Sequence, residues 1–393
     1  MSNIQLCDKY KCTQCMACVN TCPNNSINMI DEGEGFTTPH INRDTCVECG
    51  ACIKVCHRLH PIENYQTPIK VLACWTKNKE DRKKSSSGGA FSVLARSVLS
   101  VNGVVFGAAM DSNLQVKHIS VENVEDILEL QGSKYVQSYL GDTYKRVRDF
   151  LKQGRVVLFT GTPCQVGGLL TFLRKKYDNL ITCDLVCHGV PSQKSFDLFC
   201  QRTHLRGTCQ RVSFRFTEGW GFQLARELVM HSTQDGDSNS TYIVRKAVNP
   251  KKAWYMRAFN NGLMFSEACY SCAYTTPKRV SDFTMADYWG LGVKAPFNYP
   301  TLKGVSMLLV NNQKAWDLIK DNPSLFYEER TLDEAVEGNH NLSHNSKRPI
   351  GRDSFIYDMN IMESRELVKK YAIKESCRDY LRLLKQWINS KRV

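Results

Sequence analysis

Apolar positions in the middle of the chain follow two alternating patterns. Short runs rich in β-branched and aromatic residues predict strands at 71–75, 103–110, 116–121, 155–160 and 180–187. Apolar residues at helical spacing predict helices at about 90–100, 124–130, 142–153, 163–176 and 193–206. This alternation of strands and helices is typical of an α/β domain.

The pattern changes after this region. Residues 210–245 predict antiparallel strands, and a helix follows near 251–261. Beyond about residue 345 the chain is basic and helical, and its last helix places Leu381, Leu384 and Ile388 on one face. That face either packs on the preceding domain or docks a partner or an anionic membrane. A chain of 393 residues exceeds a single core, so we predict a multidomain α+β and α/β protein divided at 1–66, 67–345 and 346–393.

No stretch of the sequence has the length and apolarity of a membrane span. The most apolar one, residues 91–110, is interrupted by Arg96 and Asn102. The N-terminus lacks the basic and apolar regions of a signal peptide. These features predict a cytoplasmic protein without a transmembrane segment.

Among the residue types of this chain, cysteine gives the most specific information about function. Eighteen cysteines in a chain without an export signal indicate metal ligation, because cytosolic thiols are kept reduced. Eight of them repeat the spacing C-x2-C-x2-C-x3-C, once at Cys12, Cys15, Cys18 and Cys22, and again at Cys46, Cys49, Cys52 and Cys56. This is the signature of a bacterial ferredoxin with two 4Fe-4S clusters.

The spacing also predicts which cysteines share a cluster. Three thiolates of one group hold three irons, and the fourth reaches the other cluster. The first cluster then uses Cys12, Cys15, Cys18 and Cys56, and the second uses Cys46, Cys49, Cys52 and Cys22. Structural zinc sites are the alternative, but they leave the third cysteine of each group unexplained.

Two residues of this region depart from the ferredoxin pattern. His57 stands where a proline is usual, and we expect it to affect the local turn and the potential of the first cluster. Cys7 lies outside both groups and is interpreted as a spare or buried thiol.

The formal net charge of +13 raises the question of an anionic partner. The charge is spread along the chain, and no interleaving of aromatic and basic residues accompanies it, so we expect no nucleic-acid partner. Each 4Fe-4S core with four thiolates adds about −2 and offsets part of the excess. The remaining basicity suits an anionic cofactor or an acidic electron donor such as a ferredoxin.

One predicted helix begins with a segment suited to phosphate. Residues 85–89 supply three serines and two glycines just before the helix, where exposed amide groups and the helix dipole favour an anion. The alternative is an ordinary capped helix after a flexible loop. The segment matches neither the Rossmann fingerprint nor a Walker loop.

Several motifs, taken in order, resemble one known family. They are the two-cluster ferredoxin groups, SSGG at 86–89, GSKYVQS at 132–138, GTPCQ at 161–165, CHGVPS at 187–192, and the pair Cys269 and Cys272. The combination resembles the coenzyme F420 hydrogenase/dehydrogenase beta-subunit family over about residues 10–310. The resemblance implies a ferredoxin-like N-terminal module, a mixed α/β flavin-binding core and a helical C-terminal extension, with FAD beside a third 4Fe-4S cluster.

The resemblance also implies site residues. The flavin contacts would be Ser86, Ser87, Gly88, Gly89, Lys134, Tyr135, Gly161 and Thr162. The third cluster would use Cys164, Cys269, Cys272 and Cys187, with Asp184 or Asp282 as substitutes for Cys187. A zinc knuckle of Cys269 and Cys272 with Cys183 and Cys187 is the alternative.

Other residues carry weaker signals. His188 is the candidate catalytic residue, because histidine titrates near working pH and can give a proton to a substrate; a structural histidine bonded to backbone is the alternative. The aromatic residues of 281–290 either wall a substrate pocket or pack in the core. The remaining cysteines are interpreted as core thiols: Cys74, Cys183, Cys200, Cys209 and Cys377.

These features give a leading hypothesis and two alternatives. The leading one is an iron–sulfur flavoprotein oxidoreductase that passes electrons between 4Fe-4S clusters and FAD to reduce a small organic substrate, linked to polysaccharide biosynthesis. The alternatives are a coenzyme F420 (deazaflavin) dehydrogenase or hydrogenase beta subunit, and a non-catalytic electron-transfer subunit. The expected redox donor is a ferredoxin or a reduced deazaflavin.

Overall fold

The computed structural model describes residues 4–205, 211–215, 225–232, 240–247 and 254–371. Its helices are α1 (Ala17–Thr21), α2 (Ala51–Lys54), α3 (Lys79–Lys84), α4 (Ala90–Leu99), α5 (Ile127–Leu130), α6 (Thr143–Lys152), α7 (Pro163–Leu173), α8 (Gln193–Arg202), α9 (Trp254–Asn260), α10 (Gln313–Ile319), α11 (Leu332–Gly338), α12 (Arg352–Ile361) and α13 (Ser364–Lys370). Two 3-10 helices are Glu267–Ser271 and His340–Leu342.

The strands are β1 (Ile27–Asp31), β2 (Thr37–Ile41), β3 (Lys70–Thr76), β4 (Val104–Met110), β5 (Val116–Val121), β6 (Val157–Thr160), β7 (Leu180–Leu185), β8 (Arg211–Ser213), β9 (Ala225–Ser232), β10 (Ser240–Ala247), β11 (Phe283–Asp287), β12 (Ser306–Val310) and β13 (Leu325–Glu329). The five strands predicted between residues 71 and 187 are confirmed, with ends that shift by at most two residues. The antiparallel strands predicted after 210 are confirmed as β8, β9 and β10, in the order β10-β9-β8.

An eight-stranded sheet forms the centre of the molecule, in the order β13-β3-β12-β11-β7-β6-β4-β5. β4, β6, β7 and β11 are parallel neighbours. β12 is antiparallel to both β11 and β3, so β3 runs in the same direction as the parallel set. The carboxyl ends of β3, β4, β6, β7 and β11 therefore share one edge with the start of β12. We call this edge the carboxyl edge; in open α/β sheets it is where ligands bind.

Helices cover both faces of this sheet, which explains why its central strands are apolar on both sides. On one face, α4 and α10 bury Leu94 and Ile319 against Leu72 and Leu158 of the strands. On the other face, α6 and α7 pack on the strands. The helices contribute the buried residues Tyr144, Val147, Val166 and Leu169, and the strands contribute Phe106 and Phe159.

The N-terminal module is built as two matching halves around the antiparallel pair of β1 and β2. In each half a cysteine loop leads into a short helix, α1 or α2. Gln14 and Met16 adopt positive φ in the first loop, and Glu48 and Gly50 do so at the corresponding positions of the second. These left-handed residues curl each loop around its cysteines. The module packs on the α6 and α7 face of the sheet, where Ala17 of α1 is fully buried.

A second core lies beyond the carboxyl edge. It joins α8, α9, α12 and α13 through buried residues that include Phe196, Trp254, Phe355 and Leu367. The predicted terminal helix with Leu381, Leu384 and Ile388 lies outside the described residues. None of the helices in the described ranges is long and apolar enough to cross a bilayer.

Candidate functional site

The first cavity of the N-terminal module gathers cysteines from both sequence groups. It is lined by Cys7, Cys12, Cys15, Cys18, Cys52 and Cys56. The last cysteine of the second group thus faces the first three of the first group, which is the arrangement that the spacing predicts for cross-ligation.

The second cavity shows the reciprocal exchange. It is lined by Cys22, Cys46, Cys49 and Cys52. Cys52 lines both cavities, so the two sites are adjacent. The donor sets therefore fit two four-thiolate clusters, each with three ligands from one loop and one from the other.

Backbone amide groups donate hydrogen bonds to two of these sulfurs and thereby stabilise negative charge on them. The amide of Gln14 donates to Cys12 Sγ at 3.4 Å, and the amide of Ser26 donates to Cys22 Sγ at 3.3 Å. Burial raises the pKa of Cys12 to about 11 and that of Cys15 to about 12. Iron binding must therefore displace protons from these thiols.

Cys7 has a more specific position than the sequence indicated. It lines the first cavity beside Cys56 instead of lying apart from the clusters. A hydrogen bond with the Cys7 thiol lowers the pKa of Cys56 to about 6, while the same contact raises the pKa of Cys7. Cys7 is thus a further thiol at the first cavity, beyond the four predicted ligands of the first cluster.

A second set of four cysteines meets in the core, and we call it the core cysteine group. Cys164 stands in the first turn of α7, Cys187 follows β7, and Cys269 and Cys272 belong to the segment of the first 3-10 helix. Burial raises the pKa of Cys164 and that of Cys187 to about 12, and each of these thiols also lies within electrostatic reach of Cys272. Cys269 interacts in the same way with the other three.

The alternative ligands proposed for this site have other partners. Cys183 is fully buried on the α4 face of the sheet with Phe283, so the zinc knuckle that includes Cys183 is wrong. Asp184 Oδ2 lies 2.9 Å from Nη2 of Arg279. Asp282 accepts hydrogen bonds from Thr182 and Asn312.

A 4Fe-4S cluster and a single metal ion require different spacings between their ligands. In the part of the chain that the structure describes, no three His, Cys, Asp or Glu side chains lie close enough together to hold one ion. A 4Fe-4S core binds its four thiolates through irons at alternate corners of a cube, so these sulfurs lie farther apart than the ligands of one zinc ion.

The core cysteine group lies next to the first cavity. The Cys15 thiol is among the groups that raise the pKa of Cys164 after burial and Cys272. Helix α7 also approaches the module closely, because a Cβ atom on Gly168 would lie 2.8 Å from Cys15 Cβ. One helix therefore separates the two sets of thiols.

The 85–89 segment lies at the carboxyl edge, but most of its hydroxyl groups are already engaged. Ser85 donates to the carbonyl of Asp81 at 2.6 Å and Ser87 donates to that of Val305 at 2.9 Å, which corrects the expectation that all three serines face a phosphate. Ser86 Oγ accepts from the amide of Ser133, so its hydrogen is not used in that bond.

The two glycines of the segment are explained by different features of the structure. A Cβ atom on Gly88 would lie 2.3 Å from the carbonyl oxygen of Cys74, so close packing on β3 explains this glycine. Gly89 adopts φ 83° and precedes α4, whose first turn has no side-chain cap. Without a side-chain cap, the amide groups at the start of α4 can bind an anion.

The other predicted flavin contacts also surround the carboxyl edge. Gly161 and Thr162 follow β6, and Thr162 Oγ1 lies 3.1 Å from Cys164 Sγ. Lys134 Nζ donates to the carbonyls of Glu129 and Gln131. Tyr135 is partly buried, and its hydroxyl accepts from Arg215 at 3.4 Å.

His188 lies at the same edge, directly after Cys187. Its Nδ1 donates to Asn341 Oδ1 at 2.9 Å, and its carbonyl accepts a bond from Ser346. Its ring packs against Phe259 and Phe265, with centroids 5.5 and 5.3 Å away. These contacts fix the orientation of the His188 ring.

One residue of the site, Arg279, carried no recognisable sequence signal. Arg279 is fully buried and its guanidinium donates to the carbonyls of Tyr274 and Leu185, which fastens the Cys272 segment to the sheet. Phe283 and Tyr288 are buried, so packing explains these two aromatic residues of 281–290.

Comparison with known families shows where the chain belongs. The family described as "Coenzyme F420 hydrogenase/dehydrogenase, beta subunit" matches in two parts, its N-terminal part at residues 71–143 and its C-terminal part at residues 154–332, well over half of the chain. A 4Fe-4S dicluster domain matches residues 11–58. The chain belongs to the coenzyme F420 hydrogenase/dehydrogenase beta-subunit family. As a family member with a dicluster domain, it is an iron–sulfur electron-transfer oxidoreductase.

Other comparisons add less. The chain is similar to a chain of the F420-reducing [NiFe] hydrogenase complex from Methanosarcina barkeri, solved in a xenon derivative. The identity is 14% and the TM-score 0.41, with 79% of this chain and 94% of that chain covered. No curated protein matches the sequence significantly.

Proposed function

We propose that this family member exchanges electrons between its N-terminal clusters and coenzyme F420, a deazaflavin, through a third 4Fe-4S cluster and FAD in the core. The observation that carries the proposal is the position of the core cysteine group. It lies one helix away from the first cavity and directly beside the Gly161 and Thr162 turn at the carboxyl edge. A ligand at that edge is therefore connected to the module by closely spaced redox sites.

The core cysteine group supplies the third set of four thiols. Cys164, Cys187, Cys269 and Cys272 would hold the cluster, since Asp184 and Asp282 are engaged with Arg279 and Thr182. The amide of Tyr274 donates to Cys272 Sγ at 3.4 Å, the same kind of contact that Cys12 and Cys22 receive in the module. Such bonds stabilise a thiolate ligand.

The carboxyl edge offers a partial set of flavin contacts. The uncapped first turn of α4 and the hydroxyl of Ser86 would bind the FAD diphosphate, and Gly161, Thr162, Lys134 and Tyr135 would border the rest of the cofactor. FAD, when bound, couples one-electron clusters to a two-electron carrier. His188 would exchange a proton through Nε2, because its Nδ1 is committed to Asn341.

The deazaflavin alternative of the sequence analysis is favoured over an organic substrate. The family description names coenzyme F420, and the comparisons give no support to a role in polysaccharide synthesis. The redox partner that loads or unloads the N-terminal clusters would be a ferredoxin or a larger protein of the same complex, for which the basic surface is suited.

Anaerobic mixing with reduced coenzyme F420 tests this function. We expect the protein reconstituted with iron, sulfide and FAD to lose flavin and cluster absorbance on mixing. Cys164→Ser should slow reduction of the module clusters by about tenfold or more, and Cys183→Ser, which alters a buried thiol outside the group, should not. If reduced ferredoxin or NADH bleaches the clusters and reduced F420 does not, the deazaflavin assignment is wrong. If no flavin binds, the electron-conduit alternative replaces it.

A further inference from the structure

The residue that departs from the ferredoxin pattern, His57, links the two redox parts of the molecule. It follows Cys56 and is buried, with 3% of its surface exposed. Its Nε2 lies 3.1 Å from Oγ1 of Thr13, a residue of the first cysteine loop between Cys12 and Cys15. Its Nδ1 lies 2.9 Å from the hydroxyl of Tyr274 in the core. A neutral imidazole donates with one nitrogen and accepts with the other, so both contacts form at once.

Tyr274 completes the connection on the core side. Its amide donates to Cys272 Sγ, and its hydroxyl lies against α7, where a Cβ atom on Gly167 would be 2.0 Å away. Its ring packs against that of His57 with centroids 5.5 Å apart. A proline at position 57 would provide neither hydrogen bond, because its side chain has no donor or acceptor.

We propose that His57 is a positioning residue that holds the first-cluster loop at a fixed separation from the core cysteine group and thereby sets the electronic coupling between the two clusters. This inference rests on the third cluster of the proposed function. Electron exchange between clusters falls steeply with their separation. A residue that bonds the loop of one cluster to the segment of the other therefore acts on transfer without being a ligand of either.

Electron paramagnetic resonance of the fully reduced protein tests the proposal, because the magnetic interaction between two reduced clusters weakens as they separate. We expect wild type to show interaction splitting between the first and core clusters, identified by its disappearance in Cys272→Ser. His57→Pro should lose this splitting while keeping the wild-type iron content. His57→Gln, which retains one donor and one acceptor, should restore it.

Tyr274→Phe provides a second, milder variant in case the proline disturbs folding. It keeps the aromatic packing and removes only the hydroxyl that bonds Nδ1, so it should also weaken the splitting. Unchanged splitting in His57→Pro and Tyr274→Phe, with all clusters present, would overturn the role of His57 and leave the third cluster standing. Absence of any core-cluster signal in wild type would overturn the third cluster and the inference together.

Discussion

At the residue scale, His118 shows how a buried polar side chain holds the carboxyl edge. Its Nε2 donates to the carbonyl of Thr160 at 3.0 Å and its Nδ1 accepts from Ser138 at 2.7 Å. The ring thus fastens the end of β6, where Gly161 and Thr162 begin, to the 132–138 loop. Burial lowers the pKa of His118 to about 4, so the side chain is neutral in the folded protein at pH 7.

This depressed pKa predicts a pH dependence of stability. Because the unfolded chain takes up a proton near pH 6.5 and the folded chain near pH 4, the free energy of unfolding should fall as the pH falls through this window, by up to about 3 kcal/mol. Denaturant unfolding of wild type and His118→Gln at pH 7 and pH 5 measures the effect. The variant should lose less stability than wild type on acidification, and an equal loss in both would contradict the assignment.

Sequence spacing predicted which cysteines of the module line a common cavity, because cluster ligation constrains them within a few residues of one another. The serines of 85–89 were predicted less well. Their hydroxyl groups bond Val305 and Ser133, which are distant in sequence, and no local pattern shows such a partner. For the same reason, the contact of His57 with Tyr274 could not be predicted from the sequence.

At the element scale, α7 is the helix that joins the module to the core. Thr162 and Gln165 form a capping box at its start and Pro163 occupies the first turn, which explains why the helix begins there. It ends at Leu173, earlier than predicted, because Arg174 adopts a left-handed conformation with φ 59°. Gly167 and Gly168 lie inside the helix, where each costs about 1 kcal/mol relative to alanine. Close contact with Tyr274 and Cys15 explains both glycines.

Replacing Gly168 with alanine should therefore destabilise the protein, although alanine favours a helix more than glycine does. The new Cβ atom would lie 2.8 Å from both Cys15 Cβ and the Tyr144 hydroxyl, so the module loop must move. We expect a lower thermal midpoint and an altered resonance spectrum of the first cluster, with the second cluster unchanged. A higher midpoint with unaltered spectra would show that the module does not dock on this helix.

Sequence patterns found the early strands but assigned no elements between residues 283 and 329. β11, β12 and β13 are short, and β12 and β13 are held by antiparallel pairing with β3, more than 200 residues away in the sequence. Periodicity does not reveal such pairing. The strand order that brings Ser306 beside Gly88 at the carboxyl edge was therefore available only from the structure.

At the scale of the whole molecule, the fold sets three groups of thiols in succession. Cys22, Cys46, Cys49 and Cys52 face one cavity, the first cavity follows, and the core cysteine group lies across α7 from it. The sequence motifs named the members of each group as candidate ligands. They did not show that the module packs on the α6 and α7 face, because that contact depends on the assembled sheet.

Iron content of the anaerobically prepared protein tests the central claim most directly, since a third cluster in the core changes the total by four. We predict about 12 irons per chain in wild type and in the control Cys183→Ser, and about 8 in Cys272→Ser, with acid-labile sulfide in equal amount. About 8 irons in all three proteins, or one zinc per chain in wild type that Cys272→Ser removes, would contradict the account.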